Sequence, residues 1–148
     1  MSGTAPDPRQ ALVTAWIAQM VGTIVLAVVV ATFVSKVGAP FPGADGFKPY
    51  VFTAVLGATV PALYHLRAYR AKLAADATAM RTRGGVPDPQ ARQALLRSLA
   101  LGGALCELPM AVGALYLFMG GESRWFVGAT FITLAIRLSY RPFARLTA

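Results

Sequence analysis

From Ala11 to Val34 the chain reads "ALVTAWIAQMVGTIVLAVVVATFV", with no charged side chain. A helix needs about 20 mostly apolar residues to cross the hydrocarbon of a bilayer, and a helix satisfies its own backbone polar groups there. Three more segments are of the same kind: "YVFTAVLGATVPALYHL" (50 to 66), "SLALGGALCELPMAVGALYLFM" (98 to 119) and "WFVGATFITLAIRLSY" (125 to 140). Hydrophobic residues are 56% of the 148 and charged residues only 14%, against roughly a quarter charged in soluble domains. A water-soluble core of this size cannot hide that much apolar surface. The expected fold class is all-α: one integral membrane domain over residues 1–148, a four-transmembrane-helix bundle with helices at about 10–35, 49–81, 89–119 and 124–142. The first segment is too long for the apolar core of a signal peptide and is preceded only by Arg9, so it reads as a retained helix.

Helix punctuation supports these bounds. "APDPRQ" and "VPDPQARQ" place Asp7 and Asp88 at N-cap positions and Pro8 and Pro89 at the first helical position, where a missing N–H costs nothing. Either a shared capping solution or a duplicated two-helix unit gives this likeness, although the second and fourth helices show no such match. "GAPFPGADGFKP" has the composition of an ordered turn region.

Beyond Leu66 the apolar residues Tyr69, Leu73 and Met80 continue at helical spacing, with Arg67, Arg70, Lys72 and Asp76 assigned to the polar face. The second helix is therefore expected to run to about Arg81 and stop at Gly84 and Gly85. With the third helix restarting at Pro89, this predicts a helical-hairpin extension between helices 2 and 3.

Charge placement orients the chain. Arg9, the basic residues from Arg67 to Arg97, and Arg137, Arg141 and Arg145 put eleven of fourteen Lys and Arg on one side; Lys36, Lys48 and Arg124 lie on the other. The positive-inside rule then makes the hairpin and both termini cytoplasmic, in a multi-pass protein of a cell inner membrane. Spread over helix flanks, the formal charge of +8 points to anionic lipid headgroups as partners and not to nucleic acid. Oligomerisation in the membrane, with itself or another chain, is the other partner expectation.

One charge, Glu107, interrupts the third apolar run. It lies about ten residues past Arg97, ~15 Å of helix and near the bilayer midplane. A charge there costs at least ~2.5 kcal/mol on insertion scales. The same depth count reaches Gln19 on the first helix, whose amide can donate to the carboxylate. On the second it reaches Gly57, whose carbonyl is freed by Pro61; Pro109 frees the Leu105 carbonyl likewise. Two readings stay open: a structural hydrogen bond worth ~0.6 to 2 kcal/mol, or a site that binds and releases a proton or other cation. His65 reads as an interfacial residue, and Trp16, Trp125, Tyr50 and Tyr140 as interfacial or packing aromatics.

The stretch "ARQALLRSLALGGALCELPMAVGALYLF" resembles the loop and second helix of proteolipid subunit c of rotary ATP synthases, through Gly102, Ala104, Leu105, Glu107 and Gly113. The whole chain is similar to small four-helix bacterial membrane proteins with such a Glu-bearing helix. The resemblance implies that Glu107 is an ion-carrying carboxylate. The family's loop proline is Ala94 here, and its glycine-repeat helix is reduced to Gly57.

Elsewhere the sequence offers no Cys-His or Ser-His-Asp set, no metal-ligand spacing and no phosphate-binding glycine loop. No catalytic residue, metal or cofactor is expected. The leading functional expectation is a subunit c-like membrane subunit or accessory protein with proton binding at Glu107. The alternatives are a scaffold that recruits a soluble partner through residues 67 to 97, and a small dimeric transporter.

Overall fold

A computed structural model describes residues 8–86 and 88–142. It contains α1 (Pro8–Val37), α2 (Val51–Thr82), α3 (Pro89–Cys106), α4 (Leu108–Phe118) and α5 (Ser123–Ser139), with a 3-10 turn at Ala44–Gly46. Among the described residues there is no strand. Three stretches are long and apolar enough to cross a membrane: Gln10–Val37, Val51–Thr82, and Pro89–Phe118, the rod that α3 and α4 share. The chain is a helical membrane protein. α5, at 17 residues, is shorter than these three.

The surface is apolar where a soluble protein would be polar. Ile17, Val21, Val25, Val29 and Phe33 of α1 are exposed, while Leu12 and Thr23 of the same helix are buried. A helix apolar on every side suits a lipid environment. The core lies mainly among α2, the α3–α4 rod and the end of α5, where Ala62, Tyr69, Leu95, Leu99, Cys106 and Tyr140 form one cluster that Leu12 of α1 joins. Close approach of α4 and α5 depends on Gly113, where an added Cβ would lie 2.8 Å from the Ala129 methyl.

The loop from α1 to α2 is ordered by the end of α4. The last carbonyls of a helix lack intrahelical partners, and here the N–H of Phe41 donates to Phe118 O at 3.1 Å while those of Gly43 and Ala44 both donate to Met119 O at 3.1 Å. Glu122, just before α5, pairs with Lys48 at 3.0 Å and with Arg124. These contacts join the three chain segments at that end of the bundle.

At the opposite end α2 and α3 form the hairpin. α2 stops at Thr82 because Gly84 and Gly85 turn to positive φ, 63° and 90°; Gly85 N–H returns to Met80 O at 2.8 Å, the long bond of a glycine C-cap. α3 begins as its sequence indicates, with the Asp88 carboxylate accepting from Gln90 N–H at 3.1 Å. The corresponding cap of α1, Asp7, lies outside the described residues, as does Arg145.

Two features depart from the sequence assignments, the place of Asp76 and the continuity of the third helix. Asp76 does not sit on a solvated face: it is buried and faces buried Arg92 of α3 at 3.5 Å. Met80 completes this contact, its sulfur 3.4 Å from Arg92 Nη2. The long helix expected over 89–119 is divided at Glu107, and this division builds the site.

Candidate functional site

Pro109 has no N–H to offer the Leu105 carbonyl one turn earlier. Around it the helical ladder shifts register. Glu107 keeps helical dihedrals (φ −74°, ψ −17°), yet its N–H donates to Ala104 O at 3.2 Å, a bond of the tighter 3-10 type. The Gly103 carbonyl is thereby released, and Arg137 Nη2 of α5 donates to it at 2.8 Å. Met110 N–H turns sideways to Thr133 Oγ1 of α5 at 3.2 Å. The interruption thus exposes backbone groups just where α5 supplies polar side chains.

The same Arg137 nitrogen donates to Glu107 Oε1 at 2.5 Å, closing an ion pair. Arg137 is 3% exposed. From α1, the buried Thr23 hydroxyl lies 2.6 Å from the same Oε1 and 3.0 Å from the Gln19 carbonyl. A hydroxyl carries one proton, so it donates to the carboxylate or to the carbonyl, not to both. Trp16 Nε1 of α1 donates to the Arg137 carbonyl at 3.0 Å. Glu107 thus gathers donors from α1 and α5.

The two carboxylate oxygens have unlike surroundings. Oε1 carries both donors, whereas Oε2 is buried without a hydrogen-bond partner, and so is Arg137 Nε. The Glu107 side chain retains 30% exposure. It forms part of the wall of a groove of about 380 Å³, together with Leu26 and Val30 of α1 and Met110, Ala111 and Ala114 of α4. That groove is almost wholly apolar.

Of the supporting residues expected from sequence, Pro109 is buried beside the site and acts through the register shift. Gln19 reaches the rod but does not donate to Glu107: its side chain packs on Gly103, where an added Cβ would lie 2.5 Å from Gln19 Oε1. Thr23, one turn further along α1, supplies the hydrogen bond instead. Gly57 and Pro61 lie on the exposed face of α2, and the α2 carbonyl that is engaged belongs to Ala62, which accepts from Tyr140 OH at 2.5 Å.

A second polar cluster surrounds that bond. His65 Nδ1 is 3.3 Å from Tyr140 OH and its Nε2 is 3.4 Å from Ser98 Oγ, with the His65 and Tyr140 rings stacked. His65 is therefore tied into the bundle, and Tyr140 is a packing residue that is 1% exposed. Among the described residues no group of three or more His, Cys, Asp or Glu is placed to hold a metal ion.

Arg137 and Thr23 escape a reading from sequence. Arg137 is counted there with the basic flank. Depth measured from the opposite turn brings it to the site: Glu107 precedes Gly120 by about 13 residues and Arg137 follows Gly121 by about 16, a difference of ~4 to 5 Å along the helices. An arginine side chain spans that distance.

No protein-family model, curated protein or solved structure matches this chain.

Proposed function

We propose that the chain is a small multi-pass subunit or accessory protein of a cell inner membrane, similar in role to subunit c, whose Glu107 binds and releases a proton. The observation that supports proton binding is the unequal carboxylate: Oε1 is held by Arg137 and Thr23, and buried Oε2 has no partner. A buried anionic oxygen without a donor costs more than a neutral one, so a proton relieves the charge on Oε2, at the expense of the pair with Arg137. Thr23 accommodates either state. Facing a carboxylate it donates to Oε1; facing a carboxylic acid it turns its proton to the Gln19 carbonyl, already 3.0 Å away.

In this reading α5 is the fourth span, running back along α4 to bring Arg137 to the depth of Glu107. The α2–α3 hairpin and both termini are cytoplasmic. Burial of Arg137 removes it from the basic flank, but Arg67, Arg70, Lys72, Arg81, Arg83 and Arg97 keep the charge bias. The partners are anionic headgroups and neighbouring chains in the bilayer.

A hydrophobic carbodiimide tests the site, because it reacts with protonated carboxyls in apolar surroundings. It is expected to modify Glu107 in the detergent-solubilised chain, with a yield that falls as pH rises. Modification absent at every pH, or unchanged by pH, overturns proton exchange and leaves Glu107 as a structural tie.

A further inference from the structure

Glu107 Oε1 occupies a seat lined by donors. Arg137 Nη2 lies 2.5 Å away and Thr23 Oγ1 lies 2.6 Å away, both residues almost completely buried. Arg137 Nε is a further buried donor with no acceptor. A guanidinium and a hydroxyl converging on one oxygen form an anion-binding arrangement, in which the carboxylate is a tethered anion.

Protonation changes the charge balance of this seat. The neutral acid no longer compensates the guanidinium, and an uncompensated buried charge is strongly unfavourable. The protein supplies no replacement nearby. The titratable and charged groups around Glu107 are Arg137 from α5 and Cys106 at the end of α3, while α1 presents Gln19 and Thr23. α2 presents His65, held at Ser98, about nine residues and ~13 Å along the rod from Glu107. The second acid within the α2–α3 pair, Asp76, is engaged by Arg92 in the hairpin. A free anion is therefore the available counter-charge, and the partly exposed Glu107 side chain has somewhere to go, since the adjoining groove suits a neutral carboxyl better than a charged one.

We infer that the seat of Glu107 Oε1 is an exchangeable anion site, filled by a small monovalent anion when protonated Glu107 swings into the groove between α1 and α4. Proton and anion are then taken up together, one of each, with no net change in buried charge. This rests on the proton-binding reading above and gives that site a second substrate.

The test uses the full-length chain in detergent, with chloride as probe and gluconate as the bulky control. Calorimetry at a series of pH values is expected to show chloride binding that strengthens as pH falls, by at most about tenfold per unit for one coupled proton. An indicator dye should register one proton taken up per chloride. Glu107→Ala vacates the seat, so it should bind chloride independently of pH, and adding Arg137→Gln should abolish that binding. Circular dichroism and gel filtration confirm that each variant folds. Should Glu107→Ala misfold, the wild-type pH series and proton count decide alone. Chloride binding without pH dependence or proton uptake in the wild type overturns the coupling, and no chloride binding in either protein overturns the anion site. Carbodiimide labelling that still falls with pH would show that proton exchange survives such a failure; its absence would remove both.

Discussion

Arg137 and Glu107, 30 residues apart in the chain, meet at 2.5 Å across the interruption between α3 and α4. The pair joins α5 to the rod, with Arg137 almost completely buried. Removing one member strands the other, while removing both leaves no unpaired charge. Arg137→Leu and Glu107→Leu are each expected to destabilise the chain by ~3 to 5 kcal/mol, and the double variant by less than their sum. Unfolding in mixed micelles measures the cycle; additive single effects would mean that the pair contributes no coupling.

Two adjacent glycines differ in what an added methyl group would meet. At Gly103 it meets the Gln19 side chain, which has free torsions; at Gly102 it meets the ring of Tyr140, whose hydroxyl is fixed on Ala62 O. Overpacking costs about 1–3 kcal/mol when neighbours cannot move. Gly102→Ala is expected to lower thermal stability clearly more than Gly103→Ala. The opposite ranking in detergent melts would contradict this packing.

Orientation is checked with single cysteines in intact cells. Val86→Cys at the hairpin tip should be reached by an impermeant maleimide only after the inner face is opened, and Asp45→Cys should be labelled from outside. Native Cys106 is buried and gives little background. Labelling of position 86 from outside reverses the proposed topology.

The Lys48–Glu122 pair predicts a pH dependence at the loop end. Hydrogen bonding to Lys48 holds the Glu122 carboxyl below its ordinary range, and Glu122 raises Lys48. A depressed carboxyl stabilises the fold above its unfolded-state value and loses that contribution as pH falls through its folded-state value. Both residues are solvent-exposed, so the effect is small and salt-sensitive. Wild type should lose slightly more stability on acidification below pH ~4 than Glu122→Gln, with the difference shrinking at high salt; equal acid sensitivity would deny the pair any role.

Much of this architecture is legible in the sequence because its strongest signals are local. Continuous apolar runs, the Asp88–Pro89 start and the Gly84–Gly85 stop each act within a few residues, and α2 and α3 begin or end close to where those signals lie. Glu107 stands out because nothing near it is charged. Its partner does not, since an arginine three residues before Tyr140 looks like any other flank residue until two antiparallel helices are measured from their common turn. Asp76 shows a different limit. It falls on the spacing of Leu66, Tyr69, Leu73 and Met80, so the period places it in the interface, and only its residue type suggests solvent. Its assignment needed Arg92, which lies on the next helix.

The break at Glu107 also bears on how a chain of the proposed four-span topology would be made. When the rod leaves the ribosome, Thr23 has already been synthesised, but Arg137 is still 30 residues away. In the proposed topology an ionised Glu107 would until then meet the bilayer with only the Thr23 hydroxyl beside it, at a cost of at least ~2.5 kcal/mol. Once α5 follows, the turn at Gly120 and Gly121 folds it back along α4, and the guanidinium and carboxylate can cross as a neutral couple. In the proposed four-span topology the unit of insertion would be the helix pair, α4 with α5.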